Sequence, residues 1–170
     1  MTLKIRRATP ADDALLSALS RQTFIETFAH LYSAADLHAF LDETYTPGVV
    51  ARLLSNPALA CWLAFDGDIA VGHALAGACS LPHAEVRLGD GELKRLYLVA
   101  EAQGRGWGGK LLDGALAWLE RDGPRTNWLG VYSDNLGAQR LYARRGFEVV
   151  GEYLFAVGAA RDRELIMRRD

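Results

Sequence analysis

A glycine-rich loop near the middle of the chain constrains the fold more than any other feature of this sequence. Residues 104–109 read GRGWGG, and they lie between an apolar, strand-like run at 93–99 and an amphipathic helical pattern. Glycine lets a backbone turn tightly and approach a ligand closely, and the N–H groups that begin a helix attract anions. A strand, a glycine loop and a helix in this order therefore predict a site for a phosphate-bearing ligand.

Length and charge indicate an ordinary globular domain around this loop. The chain has 170 residues, which predicts a single domain over residues 1–170. Charged residues make up 24% of the chain and the formal net charge is −2. This balance is untypical of a nucleic-acid-binding protein, so no nucleic-acid partner is expected.

Cysteine, histidine and apolar patterns restrict the setting further. Cys61 and Cys79 form no CxxC pair, and no apolar stretch approaches the length of a membrane span. We therefore expect a cytoplasmic, reducing environment and no membrane partner. The four histidines have no metal-ligand spacing, so no metal is expected.

The order of hydrophobic patterns predicts a mixed α/β protein. Helices cluster early in the chain, a β-hairpin around residues 66–68 follows, and a βαβα succession comes after it. Such an order favours one mixed sheet flanked by helices. The predicted helices cover about residues 10–29, 33–45, 46–56, 107–121 and 136–145, and the predicted strands cover 2–8, 59–65, 69–78, 93–99, 126–132, 147–155 and 164–168.

The glycine loop comes close to two nucleotide-binding motifs. Residues 104–110 fit GxxxxGK, but Leu111 stands where a P-loop needs Ser or Thr to hold magnesium. The glycines of 104–109 also fit the dinucleotide pattern GxGxxG. Its acidic partner is misplaced, because Asp122 precedes the next predicted strand and Asp134 lies too far along. Both interpretations stay open, as does a purely structural glycine turn.

A third motif is supported by a second block of sequence. Gln103 extends the loop to QxxGxG at 103–108, and NxxAxxLYxxxGF follows at 135–147 after a further predicted strand. Together they resemble the acetyl-CoA pyrophosphate loop and the later motif of the GNAT N-acetyltransferase superfamily, and the resemblance extends over essentially the whole chain. Within that superfamily the PaiA-type polyamine acetyltransferase group is most similar, on the segments TFIETF (23–28), WLGV (128–131) and ELIM (164–167).

The resemblance implies a fold and a set of residues that bind acetyl-CoA. The fold would be a mixed, twisted central sheet with helices on both faces and middle strands that splay apart around the pantetheine arm. Backbone N–H groups of the loop would hold the pyrophosphate, although Trp107 fits a core anchor better than a stacking residue. The predicted cofactor-binding residues are Leu96, Tyr97, Leu98, Gln103, Gly104, Arg105, Gly106, Trp107, Gly108, Gly109, Asn135 and Tyr142.

The reaction that the resemblance implies is direct attack of a primary amine on the acetyl thioester. The attacking amine must be neutral, and deprotonating a lysine-like ammonium at pH 7 costs roughly 4–5 kcal/mol, so a base is expected. Glu92 is the predicted base and Glu26 a second candidate, although a surface glutamate at a strand end explains Glu92 equally well. Tyr142 is the predicted acid that protonates the leaving thiolate.

An acidic stretch predicts the acceptor. No Lys or Arg lies between Arg21 and Arg52, and within this gap Glu26 and Asp36 are the predicted substrate-binding residues. An acidic mouth would attract a polycation, and solvated helix faces explain the same pattern. Acceptor choice is assigned to about residues 22–46 and to a loop predicted at 157–163.

The expected function is therefore acetyl transfer from acetyl-CoA to a small-molecule primary amine, with a polyamine such as spermidine or spermine favoured. Three alternatives stay open: acetylation of a protein N-terminus or lysine, a non-catalytic acyl-CoA-binding sensor, and a dinucleotide-dependent oxidoreductase. The resemblance also implies a homodimer, since proteins of this superfamily are often dimeric.

Overall fold

A computed structural model of the protein describes residues 2–170, which form one seven-stranded sheet and five α-helices. The strands are β1 (Leu3–Arg7), β2 (Ala60–Asp66), β3 (Ile69–Ala78), β4 (Gly91–Leu98), β5 (Asn127–Tyr132), β6 (Glu148–Val157) and β7 (Ala160–Arg169). The helices are α1 (Asp13–Phe28), α2 (Ala34–Thr44), α3 (Pro47–Leu54), α4 (Trp107–Leu119) and α5 (Leu136–Ala143). The spatial order is β1-β2-β3-β4-β5-β7-β6, and β4 and β5 are the parallel pair. The predicted mixed α/β class is confirmed.

Short-range capping signals explain where two of the helices begin. The hydroxyl of Ser33 accepts a hydrogen bond from the backbone N–H of Asp36 at 3.1 Å, and α2 begins at the next residue. The side-chain oxygen of Asn135 does the same for the N–H of Ala138 at 3.1 Å, and α5 follows. Each cap satisfies a backbone donor that the first turn of a helix leaves unpaired.

The last two strands differ from the prediction. β6 and β7 pair as far as Val157 and Ala160, so only Gly158 and Ala159 form the turn between them. Gly158 has a φ of +55°, a left-handed conformation that suits such a tight turn. The prediction of a loop over residues 157–163 is therefore wrong, because backbone pairing extends the two strands through most of this range.

The sheet carries helices on both faces. The ring of Tyr97 on β4 packs edge-on against Phe28 of α1, with 6.3 Å between centroids. Its neighbour Leu98 points to the opposite face, where it packs beside Gly108 of α4. Side chains of consecutive strand residues alternate between faces, so α1 and α4 cover opposite sides of β4.

Two hydrophobic clusters hold these layers together. The apolar face predicted for α4 is buried in the main core: Leu111, Leu112, Ala115, Leu116 and Leu119. Full burial of a leucine side chain contributes about 1.5–3 kcal/mol. The second cluster joins α1 and α2 to the end of β6, and its buried members are Phe24, Phe28, Leu41, Tyr45 and Val157.

The central strands separate part of the way along their length. β4 and β5 pair only over Gly91 to Leu93 of β4, opposite Asn127 to Leu129 of β5. The register between β3 and β4 shifts at this place, with Leu93 and Arg95 opposite consecutive residues of β3, so Lys94 is the extra residue of a β-bulge. A bulge bends the strand that contains it, and β4 turns away from β5 here. The predicted splaying of the middle strands is confirmed.

His73 is a titratable group inside the sheet. It lies on β3, fully buried, with Nε2 3.3 Å from the hydroxyl oxygen of Thr23 on α1. Burial lowers the pKa of His73 from 6.5 to about 3, and the positive charge of Arg95 adds to the effect. The imidazole is therefore neutral in the folded protein at neutral pH.

This burial predicts a pH-dependent stability. Below pH 6.5 the unfolded chain binds a proton at His73 that the folded protein does not, so stability falls as the pH falls towards 3. Between pH 7 and 5 this contributes a loss of about 2 kcal/mol in the free energy of unfolding. Urea unfolding of the wild type and of His73→Gln at several pH values measures it. The variant should have the flatter pH dependence, and equal slopes would contradict the prediction.

Candidate active site

A cleft of about 1510 Å³ opens where β4 and β5 separate. Its floor is the edge of β4 at residues 94–98, which has no strand partner on the β5 side among the residues that the structure describes. Backbone N–H and C=O groups on such an edge can pair with an extended ligand as another strand would. The cleft therefore offers a track for a long, thin molecule.

The glycine loop closes one end of this cleft. Gly104 and Gly106 have φ values of +75° and +76°, and α4 begins directly after them at Trp107. These left-handed φ values favour glycine at both positions. A Cβ atom on either glycine would meet no atom within 4 Å, so the space beside the loop is open. The N–H groups of the first turn of α4 have no partner within the helix, and they make this end an anion site.

Two predicted cofactor residues lie away from the cleft. Trp107 is buried in the main core, and Arg105 lies with its guanidinium 5.1 Å from the Trp107 ring and 3.4 Å from Asp66. Gln103 donates a side-chain hydrogen bond to the carbonyl of Leu98 at 3.1 Å, which ties the loop to the end of β4. The predicted cofactor residues that line the cleft are Leu96, Tyr97, Leu98, Gln103, Gly104, Gly106, Gly108, Gly109, Asn135 and Tyr142.

Helix α5 adds positive charge to the cleft. Arg140 and Arg144 both line it, and neither has an ion-pair partner within residues 2–170. Arg145, by contrast, pairs with Asp113 of α4 at 3.0 Å and anchors α5 to α4. Two unpaired guanidinium groups favour an anionic ligand on this side.

Tyr142 projects from α5 into the same space. Its side chain is buried and its ring packs 6.1 Å from Phe147. Burial raises the pKa of the Tyr142 hydroxyl well above 10, and the charge of Glu164 raises it further. Tyr142 is therefore a protonated donor at neutral pH.

The predicted bases have partners already. Oε2 of Glu92 accepts hydrogen bonds from the backbone N–H of Ser80 at 2.8 Å and from Lys94 at 2.9 Å. Glu26 accepts from the backbone N–H of Ala100 at 2.8 Å. Both glutamates line the cleft.

The predicted acidic mouth is only partly in the cleft. Asp36 lies against Gly158 in the turn between β6 and β7, outside the cleft lining among the described residues. Asp42 forms an ion pair with Arg21 on the exposed surface of the helices. Of the two predicted substrate-binding residues, the structure brings Glu26 to the cleft and leaves Asp36 at its outside.

Sequence reasoning missed most of the far end of the cleft. Tyr153 of β6 and Glu164 of β7 line it, together with Tyr132 of β5. Glu164 stands directly before the apolar run at 165–167 of β7, and this position is the available sequence signal for it. The aromatic side chains of this part of the cleft are Phe24, Phe28, Tyr32, Phe40, Tyr45, Tyr97, Tyr132, Tyr153 and Phe155. Arg95 of β4 also lines the cleft, with its guanidinium 4.9 Å from the centre of the Tyr45 ring.

Two kinds of feature are absent from residues 2–170, the part of the chain that the structure describes. No group of three or more His, Cys, Asp or Glu side chains in this range is arranged to hold a metal ion. No helix in the same range has the length and apolar character that crossing a membrane requires.

The family follows from the comparison of this sequence with known proteins. Residues 21–147, which include the glycine loop, the bulged strand and Tyr142, match the model of the Acetyltransferase (GNAT) family. The chain belongs to this family. The predicted class of enzyme, an N-acetyltransferase with acetyl-CoA as co-substrate, is confirmed at this level.

Curated relatives cover almost the whole chain. An uncharacterized N-acetyltransferase of Mycobacterium tuberculosis is 32% identical over 163 residues, which are 95% of this chain and 98% of the relative. An uncharacterized N-acetyltransferase encoded in the pepI 3′ region of Lactobacillus delbrueckii subsp. lactis is 28% identical over 98% of this chain and 96% of its own.

Solved structures share the fold. The PaiA N-acetyltransferase from Thermoplasma acidophilum, in complex with coenzyme A, has a TM-score of 0.78 and 23% identity, with 100% of this chain and 99% of that chain covered. The Salmonella typhimurium protein yncA, solved with acetyl-CoA, has a TM-score of 0.68 and 20% identity over 99% of this chain and 93% of its own. The expected likeness to a PaiA-type protein is confirmed in the fold.

The glycine loop gives a direct test of acetyl-CoA binding. Gly106→Ala puts a side chain on a left-handed residue, which costs about 1–2 kcal/mol, so the loop should leave the conformation that presents its N–H groups. We expect the affinity for acetyl-CoA to fall about tenfold. Isothermal titration calorimetry measures the change.

Gly114→Ala is the matched control. Gly114 lies inside α4 with no atom within 4 Å of a Cβ, so alanine should stabilise the helix by about 0.5–1 kcal/mol. Its affinity for acetyl-CoA should equal that of the wild type. Equal losses in both variants would contradict a specific role for the loop.

Proposed function

We propose that the protein transfers the acetyl group of acetyl-CoA to a primary amine of a small polycation such as spermidine or spermine. The observation that carries this proposal is the lining of the cleft beyond the splayed strands, where aromatic rings surround carboxylates. Ring faces attract ammonium groups, by about 0.5–2 kcal/mol each, and carboxylates add attraction over a longer range. An amine with several positive charges suits both.

Cations line the α5 side of the cleft and carboxylates line the side formed by β5 and β7, with Lys94 and Arg95 of β4 also in the lining, and this distribution supports a fixed orientation of the two substrates. Arg140 and Arg144 stand on the α5 side, where the glycine loop presents its N–H groups. Glu164 and Asp134 line the end formed by β5 and β7. An anionic nucleotide and a cationic amine would therefore enter from opposite ends and meet at the splayed strands.

The residues between these ends supply the chemistry. Bound acetyl-CoA would bring an acetyl thioester, which a neutral amine attacks at the carbonyl carbon. The unpaired edge of β4 offers backbone N–H donors to the oxygen as negative charge develops on it. Tyr142 is protonated at neutral pH and can pass its proton to the departing sulfur.

Turnover distinguishes this proposal from its alternatives. Acetyl-CoA is mixed with the protein and with a panel of polyamines, peptides with free N-termini and lysine-containing peptides, and free thiol is measured. Spermidine or spermine should give the highest kcat/KM. A preference for peptides would favour a protein acetyltransferase. Tight acetyl-CoA binding without thiol release from any amine would favour a sensor and contradict the proposal.

Tyr142→Phe tests the acid. Removal of the hydroxyl leaves the ring packed against Phe147 but removes the proton donor, so kcat should fall about 100-fold. The dissociation constant of acetyl-CoA should stay within about twofold, because a contact made only as the thiolate leaves does not contribute to ground-state binding. An unchanged kcat would exclude Tyr142 as the acid.

A further inference from the structure

Glu164 is a carboxylate that the cleft buries with no cation beside it. Its Oε2 accepts a hydrogen bond from the Tyr153 hydroxyl at 2.6 Å. No Lys, Arg or His nitrogen of the described residues lies within the 4.0 Å of an ion pair. Glu92, by contrast, has Lys94 at 2.9 Å. A partly buried carboxylate that lacks a countercharge attracts either a proton or a cationic ligand.

A glycine on the neighbouring strand makes room for this carboxylate. A Cβ at Gly130 of β5 would lie 3.0 Å from Oε2 of Glu164 and 2.8 Å from the hydroxyl oxygen of Tyr153. Gly130 directly follows Leu129, the last residue of β5 that pairs with β4. The absence of a side chain therefore lets Glu164 reach the point where the two strands separate.

Glu164 also faces the predicted acid. Its negative charge raises the pKa of Tyr142 on α5 and that of Tyr97 on β4, and both tyrosines line the cleft. In an acyl transfer the base takes a proton from the attacking nitrogen and the acid gives one to the leaving sulfur. Both atoms bond to the same carbon, so the base and the acid have to lie close together. Glu164 and Tyr142 thus stand within electrostatic reach of each other across one space.

We propose that Glu164 binds the ammonium group of the acceptor and takes one of its protons, and so acts as the general base. This inference rests on the proposed function. The ammonium gives one proton to the Glu164 carboxylate and becomes a neutral amine. Its nitrogen forms a C–N bond with the thioester carbon, and the C–S bond then breaks.

Tyr142 and Glu164 together account for the remaining proton transfers. The departing sulfur takes the proton of Tyr142, and the nitrogen replaces that proton with its second one as the amide forms. Glu164 releases the first proton to solvent. The products are one acetylated amine, one free thiol and one proton, with no other reactant consumed.

Burial makes Glu164 a stronger base than an exposed carboxylate. Burial raises its pKa above 4.5, the donated hydrogen bond from Tyr153 lowers it, and the charge of Asp162 raises it again. A base whose pKa lies closer to the working pH accepts a proton more effectively. The other titratable groups near it are Tyr32, Tyr97, Tyr132 and Tyr142 of the surrounding elements, and Glu92 of β4, whose charge acts on Tyr153 as that of Glu164 does.

The test compares Glu164→Gln with Glu92→Gln, using acetyl-CoA and spermidine as the probes. Glutamine keeps the acceptor for Tyr153 but cannot take a proton. At pH 7.5 we expect kcat/KM for spermidine to fall about 100-fold in Glu164→Gln, and by less in Glu92→Gln. Glu152→Gln, an exposed glutamate of β6 that pairs with Arg163, should match the wild type. The affinity for acetyl-CoA should stay unchanged in Glu164→Gln.

The pH profile separates a base from a merely structural residue. Near pH 10 solvent already deprotonates much of the amine, so the deficit of Glu164→Gln should shrink at least fivefold relative to pH 7.5. A deficit that is the same at both pH values, an activity within threefold of the wild type, or a larger loss in Glu92→Gln would overturn the inference while leaving the proposed function intact. A wild type that releases no thiol with any amine would overturn both.

Gly130→Ala provides an independent variant. The new methyl group should displace the carboxylate and the Tyr153 hydroxyl, so kcat/KM for spermidine should fall about tenfold without loss of acetyl-CoA binding. Circular dichroism and thermal unfolding check that the sheet is intact. Full activity in a folded Gly130→Ala protein would count against a positioned Glu164.

Discussion

The separation of β4 from β5 is the constraint on which the rest of the structure depends. These two strands are the parallel pair of the sheet, and their ladder stops after three residues because Lys94 bulges out of β4. The cleft exists because of this gap: its floor is the free edge of β4, the glycine loop lies at one end, and α5 lies alongside. A continuous ladder would give a more stable sheet with no site. At the bulge, β4 loses its hydrogen bonds to β5, and the backbone groups that are left unpaired line the cleft.

Aromatic packing holds the gap open. Phe28 of α1 contacts Tyr97 on β4 and Tyr132 on β5 edge-on, with centroids 6.3 Å and 6.0 Å away. One buried ring thus braces both strands beyond the point where they stop pairing. Each aromatic pair contributes about 0.5–1.5 kcal/mol beyond its buried area. In the proposed function the same rings form the wall against which an ammonium group would lie, so structural support and the proposed substrate recognition share residues.

The sequence predicts what depends on local chemistry and fails where distant segments meet. The glycine loop, the caps at Ser33 and Asn135 and the apolar face of α4 need only neighbouring residues, and the structure has them where predicted. Glu92 stays a predicted base, and its contact with the backbone N–H of Ser80 comes from another part of the chain and has no signal in the sequence around Glu92. Glu164 received no role, because its environment is created by β5 and β6, which come from other parts of the chain.

The strand order has a consequence for how the protein is made. β7 is the last strand along the chain, yet it lies between β5 and β6, so it fills an interior position of the sheet. During synthesis the glycine loop, α5 and Tyr142 leave the ribosome before this position can be filled. The nucleotide end of the cleft can thus take shape first, while the end that contains Glu164 waits for the final hairpin to fold in. A nascent chain can therefore form the glycine loop and α5 before the strand that carries Glu164, and completion of the sheet depends on this last strand, because β7 pairs with both β5 and β6 and buries Ile166 and Met167.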